Sequence, residues 1–263
     1  MRIALGLEYD GTSFCGWQTQ PSGCAVQDHL QAALARFVGS PVEIIAAGRT
    51  DAGVHAAAQV IHFDSPVKRE PHAWVRGTNT SLDDAARVLW SAEVPGDFHA
   101  RYSARSRTYR YLLVDSPVAP AILRHRAGWH HQALDIEAMR EAATVLLGAH
   151  DFSSFRDAQC QAKSPVRDLL EARVERWNGL VRFTFRANAF LHHTVRNVVG
   201  SLVYVGAGRQ PVAWMAELLA ARDRRLAAPT FSPDGLYLAA VEYDPALALP
   251  AFPPHPLLDF PSR

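Results

Sequence analysis

The chain has 263 residues, 48% hydrophobic and 20% charged, with a formal net charge of +1. That length suits one large domain or two of ordinary size, and the balance is that of a folded chain with a real core. An overall basic coat is excluded, so any affinity for nucleic acid must come from local patches, and no apolar run reaches the roughly 18 to 20 residues of a membrane span.

The opening M-R-I-A-L-G-L-E-Y-D reads as a strand and not as a signal peptide, because Glu8 and Asp10 interrupt it. Ile3, Leu5, Leu7 and Tyr9 alternate with Ala4, Gly6 and Glu8, and Asp10-Gly11 turns the chain. F-C-G-W-Q-T-Q-P is an aromatic loop, in which core packing is the default for Trp17. Cys15, Cys24 and Cys160 lack metal-ligand spacing and read as reduced thiols of a cytoplasmic protein. Val26 to Val38 has helical spacing, with Val26, Leu30, Ala33 and Phe37 on one face and Gly39 as the stop. Strands Val42 to Ala46 and Gln59 to Phe63 flank the stretch A-A-G-R-T-D-A-G-V-H-A-A-A, in which Gly48 and Gly53 bracket Arg49, Thr50 and Asp51. Taken alone, this is either a turn that Asp51 caps or a loop that offers a carboxylate to a closely approaching partner.

A second helical stretch falls near His72 to Val75, and Ala86 to Val94 is a strand. Phe98 to Arg110 interleaves Arg101, Arg105, Arg107 and Arg110 with Tyr102 and Tyr109. It is either a phosphate-binding and base-stacking surface or a solvated strand edge. Tyr109 to Val114 follows as a strand, then a helix from Asp135, its N-cap, to Leu147. Leu169 to Arg176 and Leu180 to Ala187 form a hairpin across Asn178-Gly179. Ala189 to Val205 reads as one helix, with Leu191, Val195, Val198 and Leu202 on one stripe and His193, Arg196, Asn197 and Gly200 on another. Gly200 inside it marks close approach of another backbone. Pro211 to Arg222 is a further helix, Leu236 to Tyr243 the last strand, and the proline-rich tail from Asp244 is irregular or draped over the surface. This order fits an α+β fold of two halves with antiparallel sheets, residues 1–104 and 105–245, followed by the tail 246–263.

Neither a Walker loop, a dinucleotide fingerprint nor a G-x-S-x-G elbow is present. Asp51 and His55 are four apart, but no third ligand has zinc spacing, and adjacent His192 and His193 do not face one site on a helix, so no metal is expected. What remains is a loop carboxylate, a helix arginine and a basic-aromatic strip.

Those residues resemble the tRNA pseudouridine synthase A family. A-G-R-T-D-A-G-V-H-A, Ala47 to Ala56, is similar to its catalytic signature. The likeness continues through L-G-L-E-Y-D-G, G-W-Q, D-F-H-A-R-Y-S-A, Y-R-Y, L-L-G-A-H-D-F-S-S-F-R, Q-C-Q, A-N-A-F-L-H-H-T-V-R-N-V-V-G-S-L and G-L-Y-L. The resemblance implies a pseudouridine-synthase fold around a central cleft. It implies a cytoplasmic homodimer, without cofactor or metal, that isomerises uridine at positions 38, 39 and 40 of the tRNA anticodon stem-loop. Position by position, Asp51 matches the nucleophile, Tyr109 the ring that stacks on the uracil and is a candidate for proton transfer, and Arg196 the partner of the aspartate. Arg49, and more loosely Arg69, match base-flipping contacts. Phe98, His99, Ala100, Arg101 and Tyr102, with Gln159, Cys160, Gln161, Ala162 and Lys163, match tRNA-contact segments. Two other classes compete: a tRNA-binding protein with a structural Asp51, and a metal-dependent hydrolase using Asp51 and His55.

Overall fold

The computed structural model describes residues 1–259 except 159, 161 and 178. In chain order these form β1 (Arg2–Tyr9), α1 (Val26–Val38), β2 (Ile45–Ala46), β3 (His55–Asp64), α2 (Pro71–Asn79), β4 (Ala86–Val94) and β5 (Ser106–Asp115). There follow β6 (Gly128–His130), α3 (Ile136–Thr144), β7 (Gly148–Asp151), β8 (Val166–Trp177), β9 (Leu180–Ala187), α4 (Thr194–Gly206), α5 (Trp214–Ala221) and β10 (Leu236–Glu242). The chain divides into two compact units: residues 1–105 with 237–263, and residues 106–236.

In the first unit β1 pairs antiparallel with both β3 and β4, β2 adds to β3, and β10 runs parallel to β3 with Tyr237 opposite His55. The apolar stripe of α1 buries Val26, Leu30, Ala33 and Leu34, and Gly39 caps it. Phe37 instead meets Trp74 of α2 edge-on at 5.3 Å, and Trp74 meets Phe63 of β3 at 5.4 Å. Full burial of such side chains is worth about 1.5–3 kcal/mol each. A second buried cluster, Ala4, Ala47, Val60, Trp90, Val94, Phe98 and Ala100, is covered by Val241, Leu247, Leu249 and Phe252. The tail is irregular, as expected, and lies over this cluster: Phe252 meets Trp90 at 5.4 Å, and Leu258 is buried.

In the second unit β5, β9, β8 and β7 form antiparallel neighbours, and β6 runs parallel to β5. On β9 Val181, Phe183 and Phe185 lie in the core, and Arg182 between them bonds Glu175 at 2.6 Å. Asp135 caps α3 by accepting from Ala138 N at 3.0 Å. Helix α4 is buried almost all round, its polar Thr194, Asn197 and Ser201 included. Asn178 of the expected hairpin turn lies outside the described residues, and Gly179 beside it takes φ 80°.

Three expectations are corrected. The strand before the aspartate loop shrinks to Ile45–Ala46. Helix α4 begins at Thr194 and not Ala189, because His193 takes a left-handed conformation (φ 62°) that ends helical geometry on its N-terminal side. Cys15 and Cys24 are joined in a disulfide, since the loop between them folds back to bring their Cα atoms within 5.5 Å, while Cys160 is a free thiol.

Candidate active site

In the first unit Asp51 sits half-buried at the crest of its loop. Ala47 N bonds Val60 O at 2.8 Å to close the base, and Val54 N bonds Asp51 O at 3.1 Å across Gly53. The floor is polar and buried. Tyr9 and Thr50 share a hydroxyl bond of 2.8 Å, and Gln59 Nε2 donates to Gly48 O at 2.7 Å. Burial pushes the Tyr9 phenol up to about 12, so it stays neutral beneath the carboxylate. The aromatic loop supplies a buttress: Trp17, 2% exposed, donates its backbone N–H to Thr50 O at 2.9 Å. Gly16 (φ 98°) fits only as glycine, because a Cβ would stand 3.0 Å from Thr50 O and 3.1 Å from Ala52 N. Tyr9, Trp17 and Thr50 lie inside the motifs L-G-L-E-Y-D-G, G-W-Q and A-G-R-T-D-A-G-V-H-A, which say nothing of how they bond one another, and Gln59 lies in none of the motifs.

Arg49 is exposed beside Asp51, and Arg69 is exposed between β3 and α2. His55 is buried, accepts from Gly11 N at 3.1 Å and stacks on Tyr237 at 4.7 Å. That employs its Nδ1 in the fold. In Phe98 to Tyr102 the roles split. Phe98 and Ala100 are core, and Tyr102 is 76% exposed with His99 stacked on it at 4.3 Å and the Arg101 guanidinium 5.6 Å over its ring. The long basic strip does not survive as one surface. Arg105 pairs with Asp244, and Arg107, buried on a stretch of β5 covered on both faces, donates to Asn188 O at 2.9 Å.

Ala100 N donates to His62 Nδ1 at 3.1 Å, which requires the unprotonated ring nitrogen. Burial first, then Arg2 and His99, push His62 down to about 4. The folded pKa lies below the unfolded value, so the unfolded chain binds the extra proton. Stability is complete above about pH 6.5 and falls as pH drops toward 4. The loss is about 2 kcal/mol at about 1.4 per pKa unit, discounted for solvent screening. Urea melts between pH 4 and 7 should show this slope in the native chain and a flatter one in His62→Gln. Equal slopes would refute it.

In the second unit Tyr109 is 8% exposed on β5, edge-on to Phe190 at 5.1 Å. Arg196 lies half-buried in the first turn of α4 and donates Nε to Phe231 O at 2.8 Å. Asp157 N bonds His192 O at 3.1 Å, and the Asp157 carboxylate meets His193 Nδ1 at 2.7 Å. The two histidine rings stack at 3.9 Å. Neither histidine is helical, so the spacing argument that kept them apart does not hold. Cys160 and Ala162 are half-buried and Lys163 is exposed, whereas Gln159 and Gln161 lie outside the described residues.

The model of a family described as tRNA pseudouridine synthase matches residues 7–103 and 142–244. The chain belongs to the tRNA pseudouridine synthase family. Relatives named tRNA pseudouridine synthase A agree across nearly their whole length. That of Methylobacillus flagellatus is 56% identical over 250 residues, covering 95% of this chain and 96% of the relative. That of Bordetella avium is 57% identical over 251 residues, covering 95% and 94%. A solved chain from a Cbf5-Nop10-Gar1 complex aligns with a TM-score of 0.33 and 12% identity, covering 76% of this chain and 45% of its own. The residues matched to the synthase family contain Asp51, Arg49, Arg69, Phe98 to Tyr102, Cys160 to Lys163 and Arg196, and Tyr109 falls between the two matched segments.

Proposed function

We propose that this chain isomerises uridine to pseudouridine at positions 38, 39 and 40 of the tRNA anticodon stem-loop, with Asp51 as the nucleophile. The near full-length match to the tRNA pseudouridine synthase family carries the reading, and with it the reaction class: an isomerase acting on uridine in tRNA. The base must first leave its stack, which costs a few kcal/mol. Arg49, and in a lesser role Arg69, take the place of the flipped base, and the Tyr109 ring stacks on the uracil. The Asp51 carboxylate then acts on C6, on C1′ or on the C2′ proton. By any route the C1′–N1 bond breaks, the ring turns, C5 bonds to C1′, and the proton lost from C5 is matched by one gained at N1. Arg196 keeps the carboxylate ionised and aimed through a charge-assisted hydrogen bond.

The group of exposed Tyr102 and Arg101 with half-buried His99 supports a stacking and phosphate contact along the RNA, with the Gln159 to Lys163 segment as a second contact. The working species is a homodimer in the cytoplasm that uses no cofactor or metal. Among the described residues no helix is long and apolar enough to cross a membrane.

The test is a pseudouridine map of total tRNA from a strain lacking this chain, with and without its restoration. Marks at positions 38, 39 and 40 should vanish and return together. Unchanged marks, with stem-loop binding intact, would leave a tRNA-binding protein instead.

A further inference from the structure

The side chain of Arg196 is held by a strap, residues 224–231. Arg196 Nε donates to the Phe231 carbonyl at 2.8 Å, and Phe231 N donates back to the Arg196 carbonyl at 3.3 Å. The strap lies directly on α4 at Gly200, where a Cβ would stand 2.6 Å from Pro229 O. Any side chain there would lift the strap from the helix.

A buried amide pins this crossing. Asn197, the residue after Arg196, is fully buried. Its Nδ2 donates to Phe155 O at 2.8 Å, and its Oδ1 accepts from Thr230 Oγ1 at 2.7 Å and from Arg224 Nη2 at 3.0 Å. The Thr230 hydroxyl spends its proton on Asn197, so it accepts from Arg224 Nη2 at 3.2 Å. Arg224 Nη1 also reaches Ala227 O at 3.3 Å. One planar guanidinium thus closes the strap on itself and on the helix, a fork of donors that a lysine ammonium cannot reproduce. Arg224 is half-buried, and burial lowers its pKa while leaving it cationic.

We propose that Arg224 is a positioning residue for the isomerisation: by locking Thr230 and Phe231 onto Asn197 it aims the Arg196 guanidinium. The inference rests on the reading of Arg196 as a group of the reaction, and its action is indirect. A displacement of about 1 Å in an aligned group can cost on the order of 100-fold in rate.

The experiment is a double-mutant cycle on anticodon stem-loop RNA, with kcat and KM measured for the native chain, Arg224→Ala, Arg196→Lys and the double variant. Arg224→Ala should lower kcat about 10- to 100-fold with KM within about threefold. In the Arg196→Lys background, where the Nε bond to Phe231 is already gone, the same change should cost less than about threefold. Losses that simply multiply would overturn the proposal, because a merely structural arginine acts independently of Arg196. If Arg196→Lys and Arg196→Ala both turn over like the native chain, the catalytic reading of Arg196 fails first and takes this one with it. Should Arg224→Ala be unfolded at the assay temperature, Arg224→Lys and Thr230→Val carry the same comparison, since each breaks the fork with a smaller loss of volume.

Discussion

Asp51→Asn is expected to cut tritium release from C5-labelled uridine in tRNA by on the order of 10⁴-fold, the scale on which an essential catalytic group is lost. Binding of the same tRNA should change by less than about threefold. The separation follows from how the loop is built. Bonds that shape it run through Ala47 N, Gly48 O, the Thr50 hydroxyl and carbonyl, and Asp51 O, and asparagine keeps each of these. The substitution removes the negative charge and the nucleophilic oxygen and almost no volume. Turnover at more than about a tenth of the native rate would rule out the nucleophile, and a parallel collapse of tRNA binding would show instead that the carboxylate shapes the RNA surface.

Trp17→Ala should be the most costly single change to the fold around that loop. The indole is 2% exposed and lies 6.0 Å from the Tyr9 ring, and the residue's backbone N–H, which alanine keeps, bonds the Thr50 carbonyl. Truncating a buried tryptophan costs about 3–5 kcal/mol, part transfer and part cavity. The cavity opens beside the Tyr9 ring, whose hydroxyl bonds Thr50, one residue from the carboxylate. The denaturant midpoint should fall accordingly, and kcat should fall further than tRNA affinity at temperatures where the variant stays folded. Trp17→Phe, which refills most of the space, should recover most of both. A loss below about 1 kcal/mol would mean that the indole does not support the loop.

Elements with a clear period were legible from the residues alone: α1 with its Gly39 cap, β1, β4, the β8–β9 hairpin and the Asp135 cap all follow from local spacing. The carboxylate loop was legible too, and the role proposed for it came from the family resemblance. Long-range partners were not. Nothing local in F-C-G-W says that Trp17 will bond Thr50, or that Cys15 will find Cys24. The start of α4 was missed because a left-handed His193, bonded to Asp157 36 residues away, overrides a helical pattern that runs through it. Arg107 looked like its neighbours in composition, yet it is buried with Tyr109 on a strand covered on both faces, whereas Arg101 keeps its guanidinium over an exposed ring.

The first unit draws on both ends of the chain, whereas the second is one uninterrupted run from Ser106 to Leu236. A ribosome delivers residues in order, at about 5–20 per second. The unit holding Tyr109 and Arg196 can therefore reach its native form while the nascent chain is still growing. The unit holding Asp51 cannot, because β3 lacks its parallel neighbour and Trp90 its cover until residues 237–252 have emerged. During translation the loop that carries Asp51 is the later to settle, and β3 is the edge most in need of protection in that interval.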